Sequence, residues 1–278
     1  MRETNPFNIY NGPQPSSAST LIVGWDQDAG RLGARVIDFL ISNLAGREFA
    51  EIEPVGFFPL DGVQVEADVA TFPASKFYYC DQNNLVLFKS ALPMSEWYRF
   101  LDTVLHIAET YGNVKEMYTV GGMVSFAAHT ADRGVFGLPN SPEMKQTLQG
   151  WGLVGDMDYE TPPGQGTTLN SFLLWVAKRR GLAGAGIWTA VPFYLAQMED
   201  PQACKKVIEF LDDRFNLRID FRGLDEEIGQ QHERIARLRS RLPEIDDYIR
   251  SVESNVGLTE HEMESLVASI QEHLSERG

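Results

Sequence analysis

Between Leu21 and Leu44 the chain reads "LIVGWDQDAGRLGARVIDFLISNL". A short apolar run enters a glycine-punctuated acidic turn, and Leu32, Val36, Ile37, Leu40 and Leu44 then recur at helical spacing. The strand-to-helix pattern repeats downstream, and this alternation limits the architecture more than any other feature. The segment "VGFFPL" reads as the next strand, and "KFYYC" and "NLVLFKS" read as two strands that can form a hairpin across "DQNN". Trp97, Leu101, Leu105 and Ala108 mark one face of a helix over residues 95–111, after which "KEMYTVGG" returns to strand. Two further helices are announced by their first residues, Asn140 or Ser141 before Pro142 and Asp200 before Pro201. At an N-cap, a side-chain oxygen accepts an orphan backbone N–H, and proline at the first helical position gives up a donor that the helix cannot use. Between them lie the helix "TTLNSFLLWVAKRRG" and the strand "GIWTAVPFYL". Such alternation predicts a mostly parallel sheet covered on both faces, a three-layer α/β/α sandwich.

Composition divides the chain into three parts. Residues 1–18, rich in Pro, Asn and Ser, read as a tail or edge segment, and residues 19–221 as the α/β/α domain. From 222 to 278 strands disappear, and Leu224, Ile228, Ile235, Leu238, Leu242, Ile245, Ile249, Val252 and Val256 step by fours and threes, with Gln231 in the missing place. That is a heptad seam, which Pro243 should split near Leu242. Thr259 and Glu262 are spaced as a capping box for a last helix. The seam can pack back on its own domain or serve as an arm between subunits, and the pattern fits both.

Charge and cysteine usage exclude some classes. A net charge of −15 repels phosphate backbones and anionic lipid, so neither nucleic acid nor a membrane surface is an expected partner. No apolar run is long enough to cross a bilayer, and the polar N-terminus lacks the apolar stretch of a signal peptide, which predicts a cytoplasmic protein. Cys80 and Cys204 have no metal or redox spacing and are expected as buried, reduced thiols.

Several motifs are candidates for chemistry. Gly24, Gly30 and Gly33 are not spaced as a dinucleotide fingerprint, and Asp26 and Asp28 would oppose a phosphate there, leaving helix capping or a cation as their use. "DQDAGRLG" also lacks the oxygen ligands of an EF-hand. The stretch "PPGQGTTLNSF" places Gly164, Gly166 and Thr167 before a helix, where free N–H groups can meet an anion or where glycine simply allows a tight turn. His129 and Arg133 follow a predicted strand end, a usual place for ligands in α/β folds, although polar loop residues there are often structural. There is no HExxH and no GxSxG, so neither a metal site nor a serine nucleophile is predicted, and no cofactor is expected. Apolar candidates for an interface are Trp188, Phe193 and Tyr194 in "GIWTAVPFYL", with Ile235, Leu238, Leu242 and Ile249 on the seam.

The order of "LIVGWDQDAGRLG", "TVGGMVSFAAHTADRGVFG", "PGQGTTLNSFLLWVAKRRGLAG" and "VPFYLAQMEDPQACKKVIEFL", followed by a helical tail, resembles the proteasome assembly chaperone family. The resemblance implies a phosphorylase/hydrolase-like α/β/α fold with an appended helical part, self-association into a homo-oligomer and no established catalytic residues. It also implies proteasome subunits or another protein as partner. Members that dock tail-first end in a hydrophobic-Tyr-any tripeptide, whereas here Arg277 stands at the tyrosine position of Glu276-Arg277-Gly278. A guanidinium does not fill an aromatic slot, so docking is expected through another surface. The expected function is therefore non-enzymatic and chaperone-like. The alternative is a small-ligand binder or enzyme using a phosphorylase-like cleft, with Asp26, Asp28, His129, Arg133 and Thr167 as its first residues.

Overall fold

In a computed structural model, residues 6–13, 15, 17–59, 64–66, 68–153 and 166–275 are described. The chain runs β1 (Phe7–Ile9), β2 (Ser19–Trp25), a 3-10 turn (Ala29–Arg31), α1 (Leu32–Asn43), β3 (Arg47–Ile52), β4 (Gln64–Glu66), β5 (Val69–Thr71), β6 (Ser75–Cys80) and β7 (Leu85–Ser90). It continues through α2 (Trp97–Gly112), β8 (Val114–Ser125), β9 (Val135–Pro139), α3 (Pro142–Gly150), α4 (Leu169–Arg179), β10 (Ala183–Pro192) and a second 3-10 turn (Phe193–Leu195). Four helices close it: α5 (Pro201–Phe215), α6 (Arg222–Arg241), α7 (Pro243–Glu253) and α8 (Glu260–Ser275).

Eight strands form the central sheet in the order β1-β3-β6-β7-β2-β8-β10-β9, and β4 and β5 make a separate hairpin. The middle four, β7-β2-β8-β10, are mutually parallel, while β1-β3, β3-β6, β6-β7 and β10-β9 are antiparallel. The sheet is thus mixed, where helix-strand alternation alone suggested a mostly parallel one. The flanks depart because the β6-β7 hairpin and the loop from β8 into β9 need no helical crossover.

One expected strand is displaced. Residues 55–59 of "VGFFPL" do not enter the sheet; β3 precedes them, the N–H groups of Phe57 and Phe58 both donate to the Pro54 carbonyl in a turn, and Leu60 lies outside the described residues. Phe57 and Phe58 plug the core instead: their rings meet Phe100 edge-on at 5.1 and 5.8 Å.

Period-two alternation sends the side chains of β2 to two cores. Leu21, Val23 and Trp25 join α2 and α4 on one face, and Ile22 joins α1 and α5 on the other. The three layers expected from the sequence are present. The C-terminal helices pack back onto this body, since Ile235, Ile249, Val252, Leu266 and Ile270 lie in the same core as α1 and α5. Pro243 begins α7 after Leu242 has turned extended (ψ 96°), which ends α6 at Arg241. The Thr259 N–H donates to Glu262 Oε2 at 2.7 Å, completing the capping box on α8.

Candidate functional site

The parallel strands all finish at one edge, where β2 gives way to the acidic glycine turn. The glycines there permit close approach: a Cβ on Gly24 would stand 2.2 Å from the Gly33 carbonyl oxygen, and one on Gly122 would stand 2.1 Å from that of Ala29. Asp28 ties the corner together. Its Oδ2 accepts N–H groups from Gly33 in the first turn of α1 (3.0 Å) and from Gly122 of β8 (3.1 Å). Asp28 therefore satisfies an orphan helical donor, one of the two uses its sequence position suggested.

A cleft of about 1500 Å³ opens beside this corner, lined in part by Asp26, Asp28, Phe72, Lys76, Lys89 and Val124. Burial pushes the Asp28 carboxyl up to about 6. Asp26 is also raised by burial, against the opposing pull of Lys89, whose Nζ lies 3.8 Å away. One oxygen of each aspartate, Oδ1, is buried without a hydrogen-bond partner. Among the described residues no group of three or more His, Cys, Asp or Glu is placed to hold a metal.

The remaining ligand candidates are elsewhere. His129 and Arg133 do not line the cleft; both are buried beneath the C-terminal helices. The Tyr194 hydroxyl accepts the His129 backbone N–H at 2.7 Å and lies 2.9 Å from its Nδ1, and the ring of His232 from α6 stands 5.2 Å away. Arg133 pairs with Asp200, which also caps α5 by accepting the Ala203 N–H at 3.0 Å. Burial, with His232, Arg239 and Arg133 nearby, pushes His129 down to about 3, so the ring is neutral. Gly166 and Thr167 are exposed ahead of α4, whose cap is Thr168, and Gly164 lies outside the described residues. Sequence reasoning missed Lys89, Tyr194 as a polar partner, Asp200 as an ion-pair partner and Asn170, which accepts the Trp25 indole N–H at 2.6 Å. Only Asp200 carried a signal, as a cap before proline.

Of the apolar candidates, Tyr194, Ile235, Leu238 and Ile249 are buried within the chain, Trp188 and Phe193 are half-buried, and Leu242 is exposed. Phe193 stacks on Phe126 at 5.5 Å with their planes 6° apart. A different apolar surface stands out on α2 and α4, where Trp97, Phe172, Trp175 and Tyr98 touch in series. Their ring centroids are separated by 6.3, 5.4 and 6.2 Å. Tyr98 is 51% and Trp175 45% exposed, and the Arg179 guanidinium lies 5.1 Å over the Trp175 ring. Both cysteines are free and buried, and burial raises each thiol to about 12. No described helix is long and apolar enough to cross a membrane.

The PAC2 family model matches residues 21–239, well over half of the chain. The chain belongs to the PAC2 family. Solved structures agree on the PAC2 fold. A Mycobacterium tuberculosis protein of unknown function aligns with a TM-score of 0.75 at 18% identity, covering 97% of this chain and 99% of that one. The archaeal proteasome activator PbaB of Pyrococcus furiosus aligns at 0.67 and 19% identity, covering 85% and 100%. From the same organism PbaA, an archaeal homolog of proteasome-assembly chaperone, aligns at 0.66 and 20% identity, covering 91% and 100%. No curated protein matches the sequence. This PAC2 chain thus shares its fold with structures described as a proteasome activator, a proteasome-assembly chaperone homolog and a protein of unknown function.

Proposed function

We propose that this PAC2 chain works without catalysis, by holding proteasome subunits through the aromatic ledge on α2 and α4. The observation that carries the reading is the exposure of Tyr98 and Trp175 at the end of a continuous series of four rings. Large aromatic groups left in water at a helix pair offer rigid, amphipathic contact area with little entropy to lose, which is the composition of protein-binding hot spots. The neighbours described as a proteasome activator and a proteasome-assembly chaperone homolog support the choice of partner. The test is co-elution of the full chain with purified proteasome α subunits. A complex is expected, and Tyr98→Glu with Trp175→Glu should abolish it while far-UV circular dichroism and Tm stay unchanged. No complex, or one indifferent to both substitutions, overturns the reading.

The cleft favours a second reading, because Asp26 and Asp28 each bury an oxygen without a hydrogen-bond partner beside a large opening, that of Asp26 facing only the Lys89 ammonium at 3.8 Å. Such acceptors suit a small ligand rich in O–H or N–H donors. A thermal-shift screen with nucleosides, phosphate and divalent ions tests this; stabilisation lost in Asp28→Ala supports it, and no response across the set removes it.

A further inference from the structure

The two edges of the sheet are finished differently. At one end β1 has three residues and is flanked by polar pairs: Asn8 donates to Glu53, and Tyr10 donates to Glu51 at 2.8 Å. Short length and charge are the usual protections of an edge strand. At the other end β9 reads Val-Phe-Gly-Leu-Pro, with no charge in it and Pro139 at its end as its one edge protection, and among the described residues nothing pairs with its outer side.

Its backbone orientation follows from the pairing with β10. The Asn140 N–H donates to the Gly184 carbonyl at 2.9 Å, and Leu138 and Phe136 stand opposite Gly186 and Trp188. In an antiparallel ladder inward and outward groups alternate, so Phe136 and Leu138 point their backbone at β10, while Val135, Gly137 and Pro139 point theirs outward. Proline has no N–H and falls at an outward position, where it costs the β10 ladder nothing. The outer edge therefore offers two donors, on Val135 and Gly137, and three acceptors, on Val135, Gly137 and Pro139.

We infer that this edge pairs with the β9 edge of a second copy of the chain, antiparallel and centred on Gly137. In that register Gly137 exchanges both hydrogen bonds with its counterpart, and each Val135 N–H meets the Pro139 carbonyl opposite. Each Val135–Pro139 pair makes that bond alone, because Pro139 has no N–H to return to the Val135 carbonyl opposite it. The arrangement is isologous, as a two-fold dimer requires, and joins two eight-stranded sheets into one. Side chains agree with the backbone. Phe136 and Leu138 are 38% and 39% exposed and share a sheet face with half-buried Trp188 and with Met123, 44% exposed. The pairing sets each Phe136 beside the Leu138 of the copy and covers apolar surface that the single chain leaves in water. On the opposite face a Cβ at Gly137 would stand 2.8 Å from Leu148 Cδ1. The end of the Leu148 side chain must shift to admit a larger residue at the axis.

Light scattering of the full chain, with register-specific crosslinking, tests the inference independently of the aromatic ledge. A dimer is expected, or a larger assembly built from dimers. Phe136→Lys with Leu138→Lys should halve the mass or more, with circular dichroism and Tm unchanged. Mild oxidation of the Phe136→Cys, Leu138→Cys double variant should give a covalent dimer, since those residues face one another across the axis at non-hydrogen-bonded positions. Either single variant should crosslink poorly, and the buried native thiols should not interfere. A monomeric wild type, an assembly that survives the lysine pair, or single variants that crosslink as fast as the double overturns the inference.

Discussion

Arg133 and Asp200 form an ion pair sealed from water, with side chains 1% and 0% exposed. Arg133 follows β8 and Asp200 opens α5, so the pair joins the loop after a central strand to a helix of one outer layer. Arg133 Nη2 also donates to the His129 carbonyl at 3.3 Å, bringing the loop's histidine into the same network.

Removing one partner of this pair should be costly. Arg133→Met leaves a buried carboxylate without its counter-ion, and such losses run to about 3–5 kcal/mol. Urea unfolding should show that drop. A loss under 1 kcal/mol would mean that water reaches Asp200.

Glycine at the first corner is a packing requirement. Gly24→Ala forces a Cβ into the Gly33 carbonyl at 2.2 Å, where two backbones meet and no side chain can yield. The variant should lose about 3 kcal/mol or more, or fail to accumulate folded, on the scale of severe overpacking. Gly223, with nothing within 4 Å of its Cβ position, is the control, and Gly223→Ala should leave the midpoint unchanged or slightly raised.

The C-terminal helices are part of the core, which gives a third prediction. Ile235 is fully buried with α1 and α5, so Ile235→Ala should cost about 2–5 kcal/mol in a single cooperative transition. Val256→Ala, on the same heptad seam but more than half exposed, should cost less than about 0.5 kcal/mol. Equal costs at the two positions would mean that the seam does not pack as described.

Local chemistry made much of this legible. The cap at Asp200, that at Ser141 (one of the two residues offered), the break at Pro243 and the β6-β7 hairpin depend on neighbours in sequence, and each is where the pattern put it. What periodicity could not carry was tertiary. "VGFFPL" has strand composition but fills a space under α2, and β9 is a five-residue edge whose place depends on β10, fifty residues away. The site behaved likewise: Asp28 was found by its position before a helix, whereas the joining of His129 to Tyr194 and His232 required three segments to meet.

Two groups should make stability depend on pH in opposite senses. His129 has its folded value pushed down to about 3, from an ordinary 6.5. As pH falls below about 6.5 the unfolded chain takes up a proton that the folded chain refuses, so this group withdraws stability down to about pH 3. Asp28 has its folded value pushed up to about 6, from 3.8. Between those values the folded chain holds a proton that the unfolded chain lacks, so acidification through this window adds stability. From pH 6 to 4 the two effects oppose one another, each limited to about 1.4 kcal/mol per pH unit. Asp28→Asn retains a carbonyl acceptor for Gly33 or Gly122 but removes the compensating titration. Its unfolding free energy, measured against wild type at half-unit steps, should be higher near pH 7 by about 1 kcal/mol or more, since a buried charge is gone. The advantage should then shrink steadily toward pH 4. A difference curve that stays flat across this range would show that Asp28 titrates as an ordinary solvated carboxylate, and that the glycine corner is wetter than its packing indicates.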